Sequence, residues 1–262
     1  MTRVIPQRPH GLLRRHYGPH HDQFGDLHVS RSDPERGTVV LIHGGFWRSH
    51  RDLEMTRPAS EALADLGWNV WNLEYRRGDG TTWKETLDDC AEGFAFITQL
   101  ACELQFDTST TILVGHSAGG QLATWTASDA QRRGTRPFTG VLTLNGVMHL
   151  ELAAELAIGN GAVADFLGND PAALAAADPA RCLPLGVPMR CLHARRDERV
   201  PYAIGERFFH LARSAGDDVE FREIPGAHTA PIEPGGVAWG AVKESLNMPW
   251  PSILASSRRS DQ

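Results

Sequence analysis

Thr110-Thr-Ile-Leu-Val-Gly115-His-Ser117-Ala-Gly119 is a short β-branched run ending in a Gly-x-Ser-x-Gly pentapeptide, and a helix-compatible segment leaves it from Ala118 to about Arg132. A strand that passes into a helix between two glycines can turn sharply, because neither glycine carries a Cβ into the bend. Such a turn holds the Ser117 hydroxyl at its apex, beyond the carboxyl end of the strand. The helix start beneath it offers free N–H groups and positive potential to a developing oxyanion. The plainer reading of Ser117 is a helix cap.

The same rhythm extends in both directions. Residues 38–43, 69–75, 140–145, 188–193 and 219–224 read as further strands. Residues 53–66, 83–104 (with Thr82 as N-cap), 202–215 and 236–246 read as helices. Regular alternation predicts an α/β fold, a mostly parallel central sheet with helices on both faces. Tyr17-Gly-Pro and Leu27-His-Val, within the first 37 residues, are expected to add one or two antiparallel edge strands. Between Asn145 and Pro188 the rhythm breaks into Ala- and Leu-rich pieces at 150–158, 162–167 and 171–177. These read as a small cap-like helical insertion over about 147–187, or as an ordinary crossover helix with irregular ends. The expected organisation is one domain over 1–262, with an N-terminal extension to about residue 16 and a disordered polar tail at 256–262.

Composition narrows the function. The 262 residues are 41% hydrophobic and 22% charged, which suits a folded chain with a sizeable core. Twenty-six Lys+Arg against 32 Asp+Glu leave a net charge of −6, so neither nucleic acid nor an anionic membrane is an expected partner. No apolar run approaches the roughly 18 residues of a membrane span, and the first fifteen residues do not read as a signal peptide. A cytoplasmic location is expected. Cys90, Cys102, Cys182 and Cys191 have no metal-like spacing and read as reduced, buried filler. Without a His-Glu-x-x-His or comparable cluster, no metal is expected.

A serine needs a base, and the base an orienting acid. In an open α/β sheet such groups gather beyond the carboxyl ends of the strands. Asp197 lies four residues after the strand ending at His193, and His228 four residues after the one ending at Ile224. The order Ser117, Asp197, His228 is the one this architecture uses. Glu198 is the rival acid. Of the other histidines, His210 lies inside a helix, His149 in the insertion, and those from His10 to His28 in a weakly patterned beginning. His116 adjoins the serine but is expected to point elsewhere. His43-Gly-Gly-Phe46-Trp47 follows the first clear strand, and the backbone N–H groups of Gly45, Phe46 and Ala118 are the expected oxyanion donors. His43 reads as the anchor of that loop. Phe46 and Trp47 could line an acyl pocket or pack in the core.

His43-Gly-Gly-Phe-Trp, Gly-His-Ser117-Ala-Gly, His193-Ala-Arg-Arg-Asp197-Glu-Arg-Val-Pro and Gly-Ala-His228 together resemble the α/β-hydrolases, from about Tyr17 to Leu246. The likeness is to the esterase branch near hormone-sensitive-lipase-like enzymes and arylformamidases (kynurenine formamidases). Glu74-Tyr-Arg-Arg77 resembles a Tyr-Arg segment of those enzymes. The resemblance implies the α/β-hydrolase fold and a cofactor-free Ser-Asp-His hydrolase working through an acyl-enzyme. Phe46 stands where that branch often has a third glycine, which bears on substrate size, and Ala194 stands where glycine is usual. The expected reaction is hydrolysis of a small carboxylic ester. Hydrolysis of an N-formyl aryl amide such as N-formylkynurenine is the alternative, followed by an acyltransferase and by a ligand-binding homologue without activity. A homodimer is left open.

Three loops expected at the active-site face, 43–51, 74–80 and 193–201, hold Arg48, Arg51, Arg76, Arg77, Arg195, Arg196 and Arg199. Uniform placement of the basic residues would put about two or three there. Arginine suits carboxylates, so the expected small-molecule ester or amide substrate carries a carboxylate, unless these arginines pair with Glu74, Asp79 or Glu198. Trp47, Arg48, Arg76, Met148 and Arg195 are the expected substrate-binding side chains.

Overall fold

The computed structural model describes residues 11–30, 32, 35–134, 138–168, 170 and 172–250. Eight strands form one sheet: β1 (Gly11–His16), β2 (Phe24–Val29), β3 (Thr38–Ile42), β4 (Asn69–Leu73), β5 (Thr111–His116), β6 (Gly140–Leu144), β7 (Met189–Ala194) and β8 (Val219–Ile224). Their spatial order is β1-β2-β4-β3-β5-β6-β7-β8. The β1–β2 and β2–β4 pairs are antiparallel and every other pair is parallel. The chain has the α/β-hydrolase fold.

Alternate residues of each buried strand sort onto the two faces, as a period of two requires. Val40, Ile42, Trp71, Leu73 and Leu113 face α2 (Trp83–Leu104), α3 (Ala118–Arg132) and α7 (Tyr202–Ser214). Val39, Leu41, Val70, Ile112 and Val114 face α1 (Arg57–Asp65) and α8 (Val237–Asn247). Both faces are apolar around β3 and β5, which is why those strands read as near-continuous hydrophobic runs. Helix α2 starts on a complete capping box, with the Thr82 hydroxyl accepting from the Glu85 N–H and the Glu85 carboxylate accepting from the Thr82 N–H.

The structure corrects the reading at its edges. Residues 11–16, expected in an N-terminal extension, are an edge strand, and the histidines from His16 to His28 lie on or between β1 and β2. Tyr17-Gly-Pro is not strand but the turn after β1. Cys90 and Cys191 are buried, yet Cys102 is exposed. The expected disordered tail at 256–262 lies outside the described residues. Among the described residues no helix is long and apolar enough to cross a membrane.

The segment after β6 carries α4 (Leu150–Glu155), α5 (Ile158–Leu167) and α6 (Ala173–Ala177). It packs on α3 and on the loop after β3. The Trp125 and Gln121 side chains donate to the carbonyls of Ala176 and Ala177, at 2.8 and 2.9 Å. Phe166 stacks on Trp47 with ring centroids 4.6 Å apart. The fully buried Asp178 carboxylate accepts N–H groups from Leu150, Glu151 and Ala180, closing the segment on itself. Asp178→Ala strands those buried donors, so it should lower unfolding stability by about 2–3 kcal/mol in urea denaturation, with Asp178→Asn recovering part of the loss.

Candidate functional site

Ser117 sits between β5 and α3 with φ 58° and ψ −125°, a conformation outside the ordinary L-residue regions. Its neighbours explain how the chain gets there. A Cβ on Gly115 would lie 2.1 Å from the Gly119 carbonyl oxygen, and one on Gly119 would lie 2.1 Å from that of Ile42. Both glycines are therefore required by close backbone approach. The Ser117 N–H donates to Leu144 at 3.0 Å, and its carbonyl accepts from Gly120 and Val147 at 2.9 and 3.0 Å. The strained backbone is thereby held from the neighbouring strand as well as from its own helix.

His228 follows β8, and its Nδ1 lies 2.7 Å from Asp197 Oδ2. The other Asp197 oxygen accepts the N–H groups of Arg199 and Val200, at 2.8 and 2.9 Å. Burial alone would raise this carboxyl; the His228 ring and the two amides outweigh it and hold the group below the usual range. Glu198, the rival acid, is exposed. With Nδ1 facing a carboxylate, Nε2 of His228 carries the free lone pair. Ser117 and His228 line one cavity of about 370 Å³.

Gly45 (φ 117°), Phe46 (φ 56°) and Trp47 (φ 55°) turn the loop after β3 towards Ser117, and Gly45 and Phe46 line the same cavity. Among the described residues, the N–H groups of Gly45, Phe46 and Ala118 have no acceptor. A buried network fixes this loop from below. His43 Nε2 lies 2.9 Å from Glu74 Oε1, and its ring stacks on Tyr75, whose hydroxyl donates to the His43 carbonyl at 2.8 Å. Glu74 also accepts from Arg77 and from the Leu53 N–H. Arg77 in turn donates to the Arg51 carbonyl. His43 is thus an anchor, as read from the sequence.

The expected substrate-binding side chains fare less well. Trp47 is 2% exposed, with its indole N–H on Gln121 at 3.0 Å. Trp47 and Arg48 line a second cavity of about 510 Å³, which shares Phe46 and His50 with the first. Arg48 pairs with Asp165 at 2.7 Å. Three of the expected side chains are engaged with other groups. Arg76 is committed to Asp89 and Glu85 on α2. Met148 is buried beneath the elbow, accepting from the Thr124 hydroxyl. Arg195 lies over the Tyr202 ring, 4.6 Å from its centroid. None of these three lines either cavity.

Two positioning residues were not identified from sequence. Asn145, at the end of β6, donates to the His228 carbonyl at 2.7 Å and accepts from the Ala194 N–H at 2.7 Å, tying the histidine loop to the end of β7. Its place at the carboxyl end of a central strand was the available signal. His116 does not point away from the site. Its Nε2 lies 2.9 Å from the His228 carbonyl, and its ring is 4.7 Å from the His228 ring. Burial first, then the neighbouring His228, push the His116 pKa down to about 3, so it stays neutral and donates.

A sequence profile of the BD-FAE family matches residues 26–210. The probable carboxylic ester hydrolase LipM of Mycobacterium tuberculosis is 25% identical over 224 residues, which cover 76% of this chain. The match spans half of LipM's own length. Among solved structures, a bacterial heroin esterase superposes with TM-score 0.74 at 24% identity, covering 95% of this chain and 84% of its own. Esterase B of Lactobacillus rhamnosis superposes with TM-score 0.77 at 19% identity, covering 96% and 88%. At these identities the structural likeness is one of fold.

His116 has a consequence for stability. Its folded pKa lies below that of the unfolded chain, about 6.5, so its contribution is intact above that value and is lost as pH falls towards about 3. Between pH 6 and 4, unfolding free energy should fall more steeply for wild type than for His116→Gln, by up to about 1.4 kcal/mol per pH unit. Urea titrations at each pH measure this, and parallel slopes would contradict it.

Proposed function

The chain belongs to the BD-FAE family, and we propose that it is a serine hydrolase cleaving a small carboxylic ester through an acyl-enzyme on Ser117. One observation carries the reading: the 2.7 Å contact of Asp197 with His228 Nδ1, in a cavity that His228 shares with a strained Ser117. The name of LipM, a probable carboxylic ester hydrolase, supports it.

His228 Nε2 takes the proton from the Ser117 hydroxyl as its oxygen attacks the ester carbonyl. Asp197 holds the tautomer and stabilises the imidazolium that forms. Charge developing on the carbonyl oxygen is met by the N–H groups of Gly45, Phe46 and Ala118, already unengaged and therefore needing no reorganisation. The tetrahedral intermediate collapses, and His228 returns the proton to the leaving alcohol. Water, deprotonated by His228, then attacks the acyl-enzyme and releases the acid. The same atoms serve an N-formyl aryl amide, with the amine as leaving group.

A panel of p-nitrophenyl esters and N-formylkynurenine, run with wild type and Ser117→Ala, tests the proposal. Ester turnover should exceed that of the formamide, and Ser117→Ala should lower kcat by about 10⁴-fold or more. Turnover that survives the substitution would remove Ser117 as nucleophile, and a formamide preference would move the substrate class. Asp197→Asn should cost about 10⁴-fold in kcat. Asn145→Ala should lower kcat about 10-fold or more with KM little changed, since it acts only through the placement of His228.

A further inference from the structure

Five of the seven arginines on the active-site loops do not reach the cavity that holds Ser117 and His228. Arg48, Arg76 and Arg77 pair with Asp165, Asp89 and Glu74. Arg195 lies over Tyr202, and Arg196 is exposed and lines neither cavity. Arg51 and Arg199 differ from these. Both line that cavity, and among the described residues neither guanidinium has an ion-pair partner.

Their backbones are fixed by the same groups that build the site. The absent Cβ of Gly45 makes room for Arg51: one placed there would lie 2.5 Å from Arg51 Cβ and 3.0 Å from its Cγ. The stem of Arg51 therefore rests on the loop that carries two of the expected oxyanion donors, and its carbonyl is held by the buried Arg77. The Arg199 N–H donates to Asp197 Oδ1 at 2.8 Å. Two cations are thus mounted beside the reacting centre, one on the oxyanion loop and one on the acid loop. Glu233, the carboxylate lining the cavity, is bonded by the Thr229 hydroxyl at 2.6 Å. His50 adds a further polar group, while Met55 and Ile232 supply an apolar wall.

We infer that the substrate carries a carboxylate remote from the scissile bond, and that Arg51 and Arg199 select for it. The inference rests on the serine-hydrolase reading above. Two guanidiniums can hold a carboxylate through paired N–H···O⁻ bonds, which lysine cannot reproduce. Arg51 and Arg199 are both exposed, so an uncharged ester gains nothing from them that water does not supply, while a carboxylate gains charge-assisted bonds, and the pair favours the acid. The acyl or alcohol portion between carboxylate and ester lies along Met55 and Ile232.

Two isosteric pairs test this: 4-acetoxybenzoate with 4-acetoxybenzamide, and mono-p-nitrophenyl adipate with its methyl ester. The reading is the ratio of kcat/KM, acid over neutral partner, so an effect of a substitution on catalysis itself cancels. In wild type at low salt the ratio should exceed one in at least one pair. In Arg51→Ala and Arg199→Ala it should fall about 10-fold, with Arg→Lys recovering only part. In wild type it should also fall as salt rises, because exposed charges are screened. A ratio that neither substitution nor salt moves, with the neutral esters still cleaved in a Ser117-dependent way, overturns carboxylate selection and leaves the hydrolase standing. Absence of Ser117-dependent turnover on all four esters overturns both.

Discussion

The carbonyl oxygens of Ile42 and His43 lie where a Cβ on Gly119 would come within 2.1 and 2.5 Å of them. That approach of helix α3 to the end of strand β3 is the constraint on which the site depends. It brings the start of α3 and the loop after β3 together at one edge of the sheet. It also forces Ser117 out of the allowed backbone regions, at a cost of about 1–3 kcal/mol. Ladder bonds to Leu144 and Val147 and the burial of α3 offset that cost. A side chain at position 115 or 119 would push β3, β5 and α3 apart before it changed any reacting group.

Polar groups form the second layer of the design. Glu74, His43 and Arg77 are all buried, and a charge there is tolerated only with partners on every side. Burial works to raise the Glu74 carboxyl, but His43, Arg77 and the Leu53 amide prevail and lower it. Glu74 therefore stays ionised, and each member of the network has a geometric duty towards the loop above. On the other side of Ser117, His116 and Asn145 do for His228 what this network does for the loop at residues 43–51. Both donate to one carbonyl, and neither touches the reacting centre through its own side chain.

Sequence reading located what local chemistry determines. The Gly-x-Ser-x-Gly turn, the capping box at Thr82 and the strand-helix rhythm depend on residues near one another in the chain. Asp197 and His228 were legible as a candidate pair because each lies a few residues past a strand end. What escaped needs contacts between distant positions. Asn145 meets His228 across 83 residues and Ala194 across 49. Arg76 resembled a substrate contact until the fold brought Asp89 beside it. The count of arginines on the loops was real, but their pairing is a tertiary property. The antiparallel edge strands expected in the first 37 residues are present, but β1 lies earlier than read, because its side chains are exposed or half-buried and give no hydrophobic run.

The insertion after β6 and the loop after β3 form one mechanical unit. Phe46 and Trp47 both hold positive φ without being glycine, and a loop so strained relaxes unless it is held on more than one side. From below it is held by His43 and Tyr75. From above, Phe166 covers the Trp47 ring, Asp165 pairs with Arg48, and the tight contact at Gly159 receives Phe46, since a Cβ there would lie 2.8 Å from the ring. Glycine at 159 and phenylalanine at 46 are thus one choice. Where the esterases this sequence resembles often have a third glycine, Phe46 carries a side chain that docks into the insertion. The loop gains rigidity that a run of three glycines would lack. Its cost is space, since Phe46 lines both cavities.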